Sequence, residues 1–158
     1  MATFPPQLRI RVFDNDSGQS VPGIALKLTL FAPRKGNYTI PIVTNSAGEV
    51  HLSAKYVRQS IKDDWELFPM DYESTLEQCS ADVEIKVCTP EDVRRTIEAM
   101  KMFRSALTIS DELIRAFERS GNDRYVPVIT RFNVEESSKI SIGISRVQAA
   151  EKSKTPAQ

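Results

Sequence analysis

One imidazole, two thiols and a run of carboxylates are the side chains of this chain that could carry chemistry. His51 is its single histidine, and imidazole is the side chain whose charge changes nearest neutral pH. In a hydrolase it would serve as general base to a serine, oriented by an acid. No G-x-S-x-G elbow accompanies it, and its place between Val50 and Leu52 puts it on the polar face of a strand. Asp63, Asp64, Asp71 and Glu73 could supply a carboxylate pair for hydrolysis. A small hydrolase around His51, or around Asp64 and Asp71, is therefore the rival function. Acids near a helix end are more often solvated than paired.

The metal and nucleotide readings fail on spacing. Cys79 and Cys88 stand nine residues apart without partner histidines, so a zinc site is not expected. Two cysteines are too few for a disulfide framework, and reduced thiols in a cytoplasmic setting are the expectation. Asp14-Asn15-Asp16-Ser17-Gly18 suggests a calcium loop, but Gly18 stands at the fifth position and Ala25 at the twelfth, where oxygen ligands belong. A turn is expected there. The chain has neither G-x-x-x-x-G-K-[ST] nor G-x-G-x-x-G. No cofactor and no metal are expected.

One stretch combines apolar bulk with charge. Asp63, Asp64, Trp65, Phe68, Met70, Asp71 and Tyr72 place aromatic residues and a methionine among acids in a connection. Aromatic residues and methionine are enriched in interface cores, so these seven form the candidate partner-binding surface. Packing beneath the domain is the competing reading.

The charge distribution supports a sign for that partner. The 158 residues carry 21 basic and 21 acidic side chains. Residues 1–60 are net +4, 61–92 net −8, 93–131 net +3, and the remainder net +1. A balanced total argues against indiscriminate nucleic-acid binding. The acidic segment suits a protein partner with a basic surface, and self-association is the alternative. No apolar run approaches the roughly 20 residues that span a bilayer, and Met1–Pro6 lacks signal-peptide character.

The elements that would position these residues are mainly strands. Leu8, Ile10 and Val12 alternate with Arg9 and Arg11; Ile24, Leu26, Leu28 and Leu30 alternate next. Tyr38 to Thr44 reads as a third strand, with Pro41 marking an edge or a bulge. Val50-His51-Leu52 is the fourth and Val83, Ile85 and Val87 the fifth. Val128 to Val134 and Ile140 to Ile144, joined by a turn at 135–138, predict a closing hairpin.

Helical spacing appears at 54–66, with Ser53 as N-cap. Thr89-Pro90-Glu91-Asp92 opens a helix over 90–107, and Ser110-Asp111-Glu112 a second over 111–120, closed by Gly121-Asn122. Val93, Ile97, Met100, Phe103 and Leu107 form the apolar stripe of the first, facing either the domain's own sheet or a partner. Residues 149–158 predict a flexible tail.

Val12-Phe13-Asp14, Gly18, Val21-Pro22-Gly23-Ile24 and Val43-Thr44-Asn45-Ser46-Ala47-Gly48-Glu49-Val50 resemble prealbumin-like (transthyretin-like) domains of the carboxypeptidase regulatory-like type. The resemblance covers the N-terminal third. It implies a sandwich whose relatives serve in binding or support. Hydroxyisourate hydrolases on that scaffold use more than one histidine, and intradiol dioxygenases bind iron through two. His51 alone meets neither requirement.

The sequence thus predicts one domain over 1–148: a seven-stranded Greek-key antiparallel β-sandwich, Ig-like or prealbumin-like, with a helix near 54–66 and a helical insertion over 90–120. The function expected is a non-catalytic intracellular protein-binding or assembly module. A regulatory small-molecule pocket between sheet and helices is a further alternative.

Overall fold

In the computed structural model the described residues are 5–32, 36–62, 82–102, 109–134 and 138–147. Among these residues, seven strands form two sheets. Strand β1 (Gln7–Asp14) lies between β4 (Glu49–Ser53) and β7 (Lys139–Ile144) in a three-stranded sheet. The second sheet has the order β3-β2-β5-β6, with β2 Ala25–Ala32, β3 Gly36–Val43, β5 Asp82–Val87 and β6 Ile129–Asn133.

Alternation explains the core. Leu8, Ile10 and Val12 of β1, Val50 and Leu52 of β4, and Ile140, Ile142 and Ile144 of β7 turn inward. They meet Leu26, Leu28 and Leu30 of β2, Ile40 and Ile42 of β3, and Val83, Ile85 and Val87 of β5. Each such burial is worth roughly 1.5–3 kcal/mol. A one-residue slip would turn a whole strand's apolar set to solvent, so the register is fixed. Pro41 sits on β3, an edge strand, where it removes no ladder bond from a sheet centre.

Helix α1 (Ala54–Lys62) starts where β4 ends, and the Tyr56 N–H donates to Ser53 Oγ at 3.0 Å. Val57 enters the same core. Helices α2 (Pro90–Met102) and α3 (Asp111–Glu118) pack on the outer face of the four-stranded sheet. There Val93, Met100, Ile114 and Phe117 cover Ala25 and Cys88. The stripe therefore faces the protein's own sheet; Met102 turns away, 78% exposed, and Phe103 and Leu107 lie outside the described residues. Among the described residues, no helix is long and apolar enough to cross a membrane.

Two expectations need correction. The sheets are not wholly antiparallel, because β7 pairs with β1 in parallel, Ile10 against Ile140 and Val12 against Ile142. The closing hairpin is an arch: β6 pairs with β5 in one sheet, and β7 with β1 in the other. The segment after the 3₁₀ turn Asn122–Arg124 bridges the corner, with Val126 N–H donating to Ser145 O and Val87 N–H to Val128 O. Period-2 alternation gives one buried face whether the next strand is a neighbour or lies across the core. Alternation alone therefore could not separate hairpin from arch.

Candidate interaction surface

The candidate binding residues Asp63, Asp64, Trp65, Phe68, Met70, Asp71 and Tyr72 lie outside the described residues, as does Cys79. His51 stands on the outer face of the three-stranded sheet, as alternation predicts. Its Nε2 is 3.0 Å from Glu49 Oε1, and its side chain is 46% exposed. Ser53, two residues along the same strand, has its Oγ engaged in capping α1.

Cys88 is a free thiol beneath the helical pair. Burial pushes its pKa up to about 11, which keeps it protonated and poorly nucleophilic at neutral pH. Among the described residues, no three His, Cys, Asp or Glu side chains gather as a metal site. Between sheet and helices, Val93, Met100, Ile114 and Phe117 pack against Ala25 and Cys88. The Asp14–Gly18 segment is a turn, with Asp14 Oδ1 accepting from the N–H groups of Asp16 at 2.8 Å and Ser17 at 3.2 Å.

What the register brings together is a basic face. Arg9 of β1 stands directly between His51 of β4 and Lys139 of β7. Neighbouring strands lie about 4.8 Å apart, so two permanent cations and the imidazole stand abreast across the whole sheet. All three residues are exposed. The next row places Arg11 between Glu49 and Ser141, and the one after places Phe13 beside Gly143.

Arg11 is held firmly. Its Nε donates to Ser20 Oγ at 2.7 Å, one Nη to Gly18 O at 2.8 Å, and its guanidinium lies 5.2 Å from the Phe13 ring centroid. Arg9 is exposed and forms no ion pair with a described residue. Alternation alone puts Arg9, Arg11 and His51 on a polar face; only the register shows that Lys139, 130 residues beyond Arg9, joins the row.

No protein-family model, curated protein or solved structure matches the chain.

Proposed function

We propose that the protein is a non-catalytic protein-binding or assembly module of the cytoplasm, built as a prealbumin-like Greek-key sandwich, whose three-stranded sheet presents its outer face to an acidic protein segment. The observation that carries this reading is the row His51–Arg9–Lys139 on one exposed sheet face. The other sheet's outer face is occupied at one end by α2 and α3. An acidic partner fits the cations on both counts that matter at an interface, since opposite charge speeds encounter and rejects basic competitors.

Support for the prealbumin-like scaffold comes from its turns. Gly23 and Gly48 have φ of +67° and +73°, where a side chain is strained, and they are the glycines of the two motif turns. Crossings between the sheets at β1–β2, β3–β4, β4–β5 and β6–β7 suit Greek-key connectivity. The His51–Glu49 pair serves the surface reading better than the hydrolase one, because the imidazole's cross-strand neighbour is the Arg9 guanidinium rather than a nucleophile.

The test is affinity capture from source-cell lysate with the wild-type chain, Arg9→Glu and Arg95→Glu, eluted by a salt gradient. A stoichiometric partner held by wild type and Arg95→Glu, but lost by Arg9→Glu, is the expected result. Equal retention by all three would rule the face out.

A further inference from the structure

A cavity of about 250 Å³ opens at the end of the β1 strand, between the β1–β2 connection and the 3₁₀ turn. Its lining includes Asp14, Gln19, Ser20, Arg124, Tyr125 and Arg146. Two of these are guanidinium groups and one is a carboxylate. The carboxylate is already committed. Asp14 is buried, its Oδ1 takes two backbone N–H groups, and its Oδ2 lies 3.2 Å from Arg146 Nε. Those backbone bonds, first the one from Asp16, hold its pKa below the usual carboxylate value despite burial.

The donors on the wall are less committed. Arg146 gives Nε to Asp14 and makes a further side-chain hydrogen bond with Tyr125, yet a guanidinium carries five N–H groups in all. Its side chain is 62% exposed. Arg124 is exposed and forms no ion pair with a described residue. Ser20 Oγ accepts from Arg11 Nε, which leaves its own hydrogen to donate. With Asp14 spent, the wall presents donors and a net positive charge. A volume below the roughly 300–1,000 Å³ of cofactor and drug-sized pockets suits a small head group.

From this arrangement we infer that the cavity binds a small oxyanion, a carboxylate or a phosphate group, gripped by Arg124 and by the guanidinium edge of Arg146 that Asp14 holds in place. Planar guanidinium forks match either anion. The site is separate from the basic sheet face, since neither Arg9 nor Lys139 lines the cavity.

The experiment is a ¹H–¹⁵N titration of the full chain with sodium phosphate and, separately, sodium acetate at constant ionic strength. The proteins are wild type, Arg124→Gln and Arg9→Gln. Saturable shifts confined to residues 14–21, 121–125 and 146 are expected, with affinity falling at least tenfold in Arg124→Gln and unchanged in Arg9→Gln. Saturation by acetate only or phosphate only would name the anion. Unsaturable shifts, or equal affinity in wild type and Arg124→Gln, would overturn the inference. Equal loss in both variants would do the same, because it would mean diffuse charge attraction.

Discussion

Asn122 and Ala25 exchange two hydrogen bonds as though they were neighbours in a ladder. The Ala25 N–H donates to Asn122 Oδ1 at 2.7 Å, and Asn122 Nδ2 donates to Ala25 O at 2.9 Å. The same Nδ2 also donates to Cys88 O at 2.8 Å. One buried side chain therefore ties the 3₁₀ turn to the start of β2 and the end of β5, and helps set where the helical pair rests on its sheet.

Replacing Asn122 with alanine leaves the buried Ala25 N–H without its acceptor and strips donors from two carbonyls. A buried donor left unpaired costs about 1–3 kcal/mol, so Asn122→Ala should lose about 3 kcal/mol in urea denaturation. Asn122→Asp should fare no better, because a carboxylate keeps the acceptor but donates to neither carbonyl.

The two motif glycines should differ. Both occupy left-handed backbone, but a Cβ on Gly48 would stand 2.6 Å from Ser20 Cβ and 2.7 Å from the Val21 backbone nitrogen, whereas one on Gly23 meets nothing within 4 Å. Gly23→Ala should cost about 1 kcal/mol, the penalty of the left-handed region. Gly48→Ala should cost more than twice that, because the β1–β2 backbone itself must move. Thermal melts of the two variants side by side measure the difference.

Thr96 offers a gain. Its hydroxyl is buried on α2 without a hydrogen-bond partner among the described residues. Thr96→Val keeps the shape and removes the unpaired oxygen. A rise of about 1 kcal/mol in unfolding free energy is expected by denaturant titration; a loss would show that the hydroxyl is paired in solution.

Asp92 predicts an acid limb. It closes a reciprocal cap with Thr89, bond lengths 3.0 and 3.1 Å, and lies 2.6 Å from Lys86 Nζ. Partial burial raises its pKa, but the Lys86 and Thr89 bonds outweigh that and bring it to about 2. A carboxyl lowered in the folded state stabilises fully above its unfolded pKa of about 3.9 and loses that contribution as pH falls toward the folded value. Melting temperature should therefore fall between about pH 5 and pH 2. The Lys86→Gln variant should show a shallower fall over the same window.

The sequence carried the strands and caps well because both are local. Leu8-Arg9-Ile10-Arg11-Val12 declares its faces within five residues, and Ser53, Thr89 and Ser110 cap the helices that begin beside them. Asn122 was legible only as the residue after a helix end, because its partners lie 97 and 34 residues away. The arch of β6 and β7 escaped for the same reason: pairing partners at 82–86 and 9–14 decide it, and alternation names a face, never a neighbour. Arg9 and Lys139 meet only once β7 lies parallel to β1. Arg124 and Arg146 share a cavity only once the chain has crossed between the sheets.

The most direct test of the basic face places a photo-crosslinking residue at Ser141, which is exposed beside Arg11, and a second at Arg95 on α2. The wild-type background is then irradiated in lysate at low and high salt. The account predicts one discrete crosslinked protein from position 141 that fades with salt, as screening of exposed charges requires, and none from position 95. The same adduct from both positions, or from 95 alone, would contradict it.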